Sequence, residues 1–313
     1  MVHRAQYKLE DRGGTRLPAL NEDAMKSEEG FVELENSFKV WYQRLGDAGA
    51  TPLLLLHGGP GAGHDYLEPL GKLADTRPVV FYDQLGCGKS DRPDDVGLWT
   101  VDRFVREVDE VRVALGLESV HLLGQSWGGW LGIEYMLSQP AGVERLVLAS
   151  TSASMPQFEA ETRRLRKELP AEVQQVLNKY EALGDYHNSE YEKAVEAFYQ
   201  KHVCRLPEWP ECVLRTVANL ENNPVYETMN GPNEFTIIGN LREWDRIERL
   251  SEIRVPTLIT VGHYDELTPA CAETLRAGIP DSRLVVFENS SHLAHVEEEA
   301  RYLEVVRDFL DGS

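Results

Sequence analysis

The sequence predicts an α/β fold: a mostly parallel, doubly wound sheet with a helical subdomain inserted late in the chain. Three observations predict it. Between residues 52 and 149, short apolar runs alternate with stretches of helical periodicity. Several of those runs are apolar throughout, as in strands covered on both faces. From Pro156 to about Asn230 the chain is then charged and helical in pattern, and strand-like runs return only at Thr257.

In chain order, residues 1–28 are polar and weakly periodic and are expected to form an N-terminal arm. Phe31–Leu34 and Phe38–Tyr42 alternate as two strands around a turn at Glu35-Asn36-Ser37. Pro52–Leu56 and Val79–Tyr82 read as buried strands, with a helix over His64–Ala74 between them. Val101–Leu115 is an amphipathic helix, followed by strands at Val120–Leu123 and Leu146–Ala149. Helices are expected over Glu159–Leu169, Ala171–Leu183 and Ser189–His202, with prolines breaking the later part of the insertion. Thr257–Val261 and Leu284–Phe287 complete the sheet, and Glu297–Leu310 is a closing helix. The implied division is a core over 29–154 and 236–313 with a helical lid over 155–235.

Composition narrows the function. A net charge of -20 in 313 residues opposes a nucleic-acid partner, whose phosphates carry the same sign. No apolar run is long enough to span a bilayer, and Met1–Glu10 lacks an apolar signal core, so a cytoplasmic protein is expected. Cys87, Cys204, Cys212 and Cys271 match no zinc spacing and are expected as free thiols, with a local Cys204–Cys212 bridge as the alternative. No metal or cofactor is called for.

The chemistry starts at Gly124-Gln125-Ser126-Trp127-Gly128-Gly129, placed between a strand and a helix. Strand, sharp turn and helix form a nucleophile elbow, with the glycines leaving room across the turn. A serine hydroxyl needs a base, and the base needs a carboxylate to hold its tautomer. Asp265 follows the Thr257 strand and His292 follows the Leu284 strand. The order Ser126, Asp265, His292 is that of α/β-hydrolases. His295 is expected to be structural, and His263 a lid or pocket contact. His57-Gly58-Gly59-Pro60-Gly61 follows an early strand and is expected to supply one oxyanion N–H, from Gly59; Trp127 supplies the other. Gly86-Cys87-Gly88-Lys89-Ser90 superficially suggests a phosphate loop, but Asp83 stands where its first glycine is required, so nucleotide binding is rejected.

These motifs, together with Asp83-Gln84-Leu85-Gly86-Cys87-Gly88-Lys89-Ser90 and Gly262-His263-Tyr264-Asp265-Glu266, resemble the prolyl aminopeptidase (proline iminopeptidase) family of α/β-hydrolases from about Phe31 to Leu310. Met229-Asn230-Gly231-Pro232-Asn233-Glu234-Phe235 is similar to the branch containing tricorn-associated aminopeptidases and amino-acid amidases. The resemblance implies the α/β-hydrolase fold and a serine aminopeptidase that releases an N-terminal residue from short peptides. It also implies that Glu234 and Glu266 hold the substrate's free amino group. Carboxylates suit that task, because an ammonium entering a partly dry pocket needs charged acceptors. Trp209, Tyr226 and Phe235 are expected to line the first-residue pocket. The rival readings are an amino-acid amide or small-ester hydrolase and, from another class, a non-catalytic binding protein on the same fold.

Overall fold

A computed structural model describes residues 26–312. The expected N-terminal arm therefore lies outside the described residues except for its last positions. Of these, Ser27 and Glu28 already belong to the first strand, β1 (Ser27–Glu33). It pairs antiparallel with β2 (Lys39–Leu45), which pairs antiparallel with β4 (Val79–Tyr82). The remaining pairs are parallel and involve β3 (Leu53–Leu56), β5 (Val120–Gln125), β6 (Val143–Ala149), β7 (Thr257–Gly262) and β8 (Ser282–Phe287).

Spatial order across the sheet is β1-β2-β4-β3-β5-β6-β7-β8. The chain moves from β3 outward to β4 and then returns to β5 on the other side of β3. Winding reverses between β3 and β5, where the loops leaving the strand ends part and open a crevice. His57–Gly61 leaves β3 and Ser126 leaves β5 at that point.

The apolar runs are explained by period-two alternation between two cores. Leu54, Leu56, Val80, Tyr82 and Leu122 face one cluster, while Leu53, Leu55, Val79, Phe81 and Leu123 face the other. With both faces covered, β3 and β4 carry apolar or aromatic side chains at every position, and β5 departs from this only at His121 and Gln125 and at Gly124. Each fully buried Leu or Val contributes at most about 1.5–3 kcal/mol relative to exposure. The first cluster takes in α1 (Val101–Ala114) and α2 (Trp127–Leu137).

The stretch expected as a helix from His64 is a 3-10 helix over Asp65–Asp75 that contains Pro69. Proline has no N–H to give to a carbonyl one turn back, so α geometry is interrupted there.

Between β6 and β7 lie α3 (Met155–Arg166), α4 (Ala171–Leu183), α5 (Ser189–His202), α6 (Glu211–Leu220) and α7 (Pro224–Met229). Leu165, Leu177, Tyr191 and Phe198 give this region a small core of its own. Ser154 pairs with Asp245 in an isolated bridge, and its hydroxyl donates to Asp245 Oδ2 at 2.7 Å, drawing the two ends together. After β7 come α8 (Pro269–Gly278), α9 (Ala294–Glu297) and α10 (Glu299–Asp311).

The expected closing helix is α10; the short α9 precedes it, and the break between them falls at Glu298. Its carboxylate accepts from the Asn289 N–H at 3.0 Å and the Ser290 hydroxyl at 2.6 Å. Glu297 accepts from the Ser291 N–H at 2.7 Å. The break thus fastens the loop that carries His292. All four cysteines are free. Among the described residues, no helix is long and apolar enough to cross a membrane.

Candidate active site

Ser126 sits at the tip of β5 with φ 57° and ψ -123°, a left-handed conformation that a serine adopts only under constraint. Close packing supplies the constraint. A Cβ at Gly124 would lie 2.1 Å from the Gly128 carbonyl oxygen, and one at Gly128 would lie 1.9 Å from the Leu56 carbonyl oxygen. Ser126 donates its own N–H to Ala149 O at 3.0 Å, and Thr151 Oγ1 donates to Ser126 O at 2.9 Å. Trp127 is the first residue of α2, where a backbone N–H has no partner inside the helix. Its indole donates to Gln84 Oε1 at 2.8 Å. Gln84 in turn holds His57, with Nε2 donating to His57 O at 2.9 Å and the Gln84 N–H donating to His57 Nε2 at 3.0 Å. The loop containing Gly59 is therefore tied to the helix that starts at Trp127.

Below this loop, Asp83 Oδ1 accepts from the His64 N–H at 2.7 Å and from His64 Nδ1 at 2.9 Å; Oδ2 accepts from the Lys89 N–H at 2.8 Å. One backbone donor of the glycine-rich loop, the Lys89 N–H, is thus taken by a carboxylate of the protein itself, while those of Gly86, Cys87 and Ser90 go to backbone carbonyls. Cys87 is buried, and desolvation raises its thiol pKa well above the usual range.

His292 Nδ1 lies 2.9 Å from Asp265 Oδ1, and both side chains are buried. Burial works against protonating this imidazole, but the charge and hydrogen bond of Asp265 outweigh it and raise the pKa above 6.5. The two loops carrying these residues share an anchor on α5. His202 O accepts from the Glu266 N–H at 3.3 Å and the His292 N–H at 3.2 Å, while His202 Nδ1 donates to Tyr264 O at 2.8 Å.

His292 Nε2 is not hydrogen-bonded to Ser126. Its neighbour is the Gln125 amide, 3.1 Å away, which also donates to His292 O at 3.2 Å. Gln125 Oε1 accepts from Tyr66 OH at 2.5 Å, and Tyr66 OH accepts from the Gly58 N–H at 2.7 Å. Donation from Gln125 to Nε2 requires a lone pair there and a proton on Nδ1, the tautomer that also suits Asp265.

Ser126, His292, Gln125, Tyr66 and Gly59 border a cavity of about 600 Å³, and Glu234 and Glu266 border it too. Glu266 is 0% exposed, and neither of its carboxylate oxygens has a hydrogen-bond donor. Desolvation, then the charges of Glu234 and Asp265, push its pKa well above the ordinary carboxylate range. Glu234 accepts from Tyr226 OH at 2.7 Å, and its pKa is raised by desolvation despite that bond. Glu266 without a donor, with Glu234 on the same cavity wall, suits a cation that can supply hydrogen bonds.

Other expectations are corrected. Trp209 and Tyr226 line the cavity, but Phe235 does not. It packs against Phe198 at 4.9 Å and beneath Arg166, because the turn at Asn233 directs the next but one side chain into the core of the insertion. His263 is not a cavity residue either; it is half exposed and pairs with Glu288 at 3.1 Å. His295 has the structural setting expected of it, with Nε2 against Tyr66 O at 3.0 Å and its ring against Tyr66 and Tyr302. Sequence reasoning did not pick out Gln125, Tyr66 or His202. Only Gln125 left a trace, by sitting inside the elbow motif.

Comparison with known proteins places the chain among relatives. Residues 51–299 match the family described as the alpha/beta hydrolase fold. The chain is similar to the proline iminopeptidase of Saccharolobus solfataricus, 48% identical over 83% of this chain and 84% of that protein. It is also similar to the proline iminopeptidase of Heyndrickxia coagulans, 42% identical over 91% and 99%. Among solved structures, it resembles VinJ with a TM-score of 0.88 at 43% identity, and the proline iminopeptidase of Mycobacterium smegmatis with 0.85 at 39%. Each alignment covers 91% of this chain and 98% of the other.

Proposed function

Because the chain belongs to the proline iminopeptidase family of α/β hydrolases, we propose that it is a serine aminopeptidase that removes the N-terminal residue from short peptides, proline being the first residue to test. The observation that carries the reading is Glu266: a carboxylate without donors, buried at the cavity wall next to the Asp265–His292 pair. In this reading, the substrate's ammonium supplies the missing hydrogen bonds to Glu266 and Glu234. That contact fixes the first carbonyl over Ser126. Blocking the amine removes both charged contacts, which makes the enzyme an exopeptidase.

Ser126 Oγ attacks the carbonyl carbon while His292 Nε2 takes its proton, and Asp265 stabilises the imidazolium. Gln125 gives up its place at Nε2 for this step; catalytic hydrogen bonds often tighten only with substrate bound. The N–H groups of Gly59 and Trp127 hold the oxyanion. As the C–N bond breaks, His292 returns the proton to the leaving amine. Water, deprotonated by the same imidazole, then displaces Ser126 from the acyl group. The helical insertion between β6 and β7 is the lid over the site, so the substrate is confined to a segment that fits beneath it.

A panel of aminoacyl arylamides with and without N-acetylation tests the reading. It predicts turnover of the free amines, led by the prolyl compound, and little turnover of the blocked ones. Equal rates on both would remove amine recognition. Failure of Ser126 to react with a fluorophosphonate would favour a non-catalytic protein.

A further inference from the structure

We infer that the cavity rejects leaving groups that carry a negative charge close to the scissile bond, so that its preferred substrates are amides, esters or peptides whose leaving part is neutral or basic. This rests on the aminopeptidase reading and adds the chemistry of the other half of the substrate.

The cavity, at about 600 Å³, is of a size that takes a drug-sized molecule rather than a single residue. With the ammonium at Glu234 and Glu266, the leaving group must occupy the remaining space. That space is charged in one sense only. Beyond Glu234 and Glu266, which hold the ammonium, four glutamates border the cavity: Glu192, Glu196, Glu221 and Glu227. Among the described residues, no lysine or arginine borders it. The histidines of the lining are His187 and His292, and His292 must be neutral to act as base. Two lid helices add to the same sign, although the positive end of α2 lies at Ser126 itself. Val203 and Glu221 cap the C-termini of α5 and α6 and both line the cavity, so the negative ends of those helices come to its wall.

A short free peptide would bring its terminal carboxylate into this space. The anion would lose water against apolar walls such as Val195, Val217 and Leu220, and would gain repulsion instead of a partner. A carboxamide or ester at the same place carries no charge. A basic side chain in the leaving part would be attracted.

The test compares Pro-Gly-Gly-NH2 with Pro-Gly-Gly-OH, whose leaving amines differ little in basicity. The expected result is a kcat/KM about tenfold higher for the amide at low ionic strength, with the gap narrowing in about 0.5 M salt. Glu221→Lys places a cation on an exposed cap and is expected to narrow the gap by accelerating the free acid. The salt series on the unaltered enzyme carries the test should that variant misfold. Equal rates on the two peptides, or a gap indifferent to salt, would overturn the inference and leave aminopeptidase activity standing. Cleavage of neither peptide by enzyme whose Ser126 still reacts with a fluorophosphonate would overturn both.

Discussion

Asp83 and Glu266 are carboxylates buried at the same edge of the same sheet, and the fold treats them in opposite ways. Asp83 collects donors from His64 and from the Lys89 backbone. Desolvation alone would raise its pKa, but the His64 hydrogen bond, the charges of His64 and His57 and the Lys89 N–H lower it below 3.8. Glu266 has no donor, and its pKa moves strongly upward. A buried charge that serves the fold is fully paired, because an unpaired one costs several kcal/mol. A buried carboxylate left without donors beside a cavity costs the empty protein stability, a cost eased by taking up a proton, by the His292 imidazole 3.9 Å away or by a cationic ligand. On the proposed reading, the contrast separates a residue that fixes the loop carrying His64 from one kept open for substrate.

The largest effect should come from Glu266 in activity. Glu266→Ala is predicted to lower kcat/KM on prolyl arylamide by roughly 100-fold, the scale of a lost charge-assisted contact. Hydrolysis of a small acyl ester without an amine should change by less than about twofold if the contact is made only to ammonium. Equal losses on both substrates would place Glu266 in the structure rather than in recognition.

Stability should then divide the two carboxylates by sign. Asp83→Asn is predicted to destabilise by about 2–4 kcal/mol, since it breaks a fully paired buried network. Glu266→Gln is predicted to stabilise the empty protein by about 1 kcal/mol near pH 7. The pH dependence follows from the directions of the shifts. Because the folded-state pKa of Glu266 is raised, the folded protein holds a proton that the unfolded chain releases above about 4.5. The unmutated protein therefore loses stability as pH rises from 4.5 toward that raised value, and the advantage of Glu266→Gln grows over the same window. Asp83, with its pKa lowered, contributes stability present above 3.8 and lost as pH falls through the folded-state value. Urea unfolding across pH checks both signs. The smallest effect belongs to Tyr226→Phe, which removes one donor from Glu234. It should raise KM for free-amine substrates by about two- to fivefold and leave kcat nearly unchanged.

What could be read from the sequence, and what could not, has a physical cause in each case. Gly124 and Gly128 were legible because backbone contacts near 2 Å from a would-be Cβ admit no other residue, and such constraints fall in one short motif. The fold class was legible because strands buried on both faces are apolar through most of their length, as in Leu53–Leu56 and Val79–Tyr82. Asp265 and His292 could be named because loops leaving parallel strands gather at one edge. Whether Asp265 or its neighbour Glu266 meets the imidazole is decided by local backbone direction, which composition does not encode; Asp265 Oδ1 is the group at 2.9 Å. The Tyr66–Gln125–His292 chain joins residues far apart in sequence through side-chain amide and hydroxyl groups, and such contacts leave no periodic mark. Phe235 was misassigned to the cavity for a related reason: an aromatic beside a loop glutamate can face either side, and the Asn233 turn sends it inward.

The most direct test is the proton balance of amine binding. Ser126→Ala protein at pH 7 would be titrated calorimetrically with prolinamide in buffers of different ionisation enthalpy. If Glu266 waits partly protonated for an ammonium, binding releases a fraction of a proton, and Glu266→Gln abolishes the release together with most of the affinity. Binding with no proton released, and unaffected by Glu266→Gln, would contradict the account.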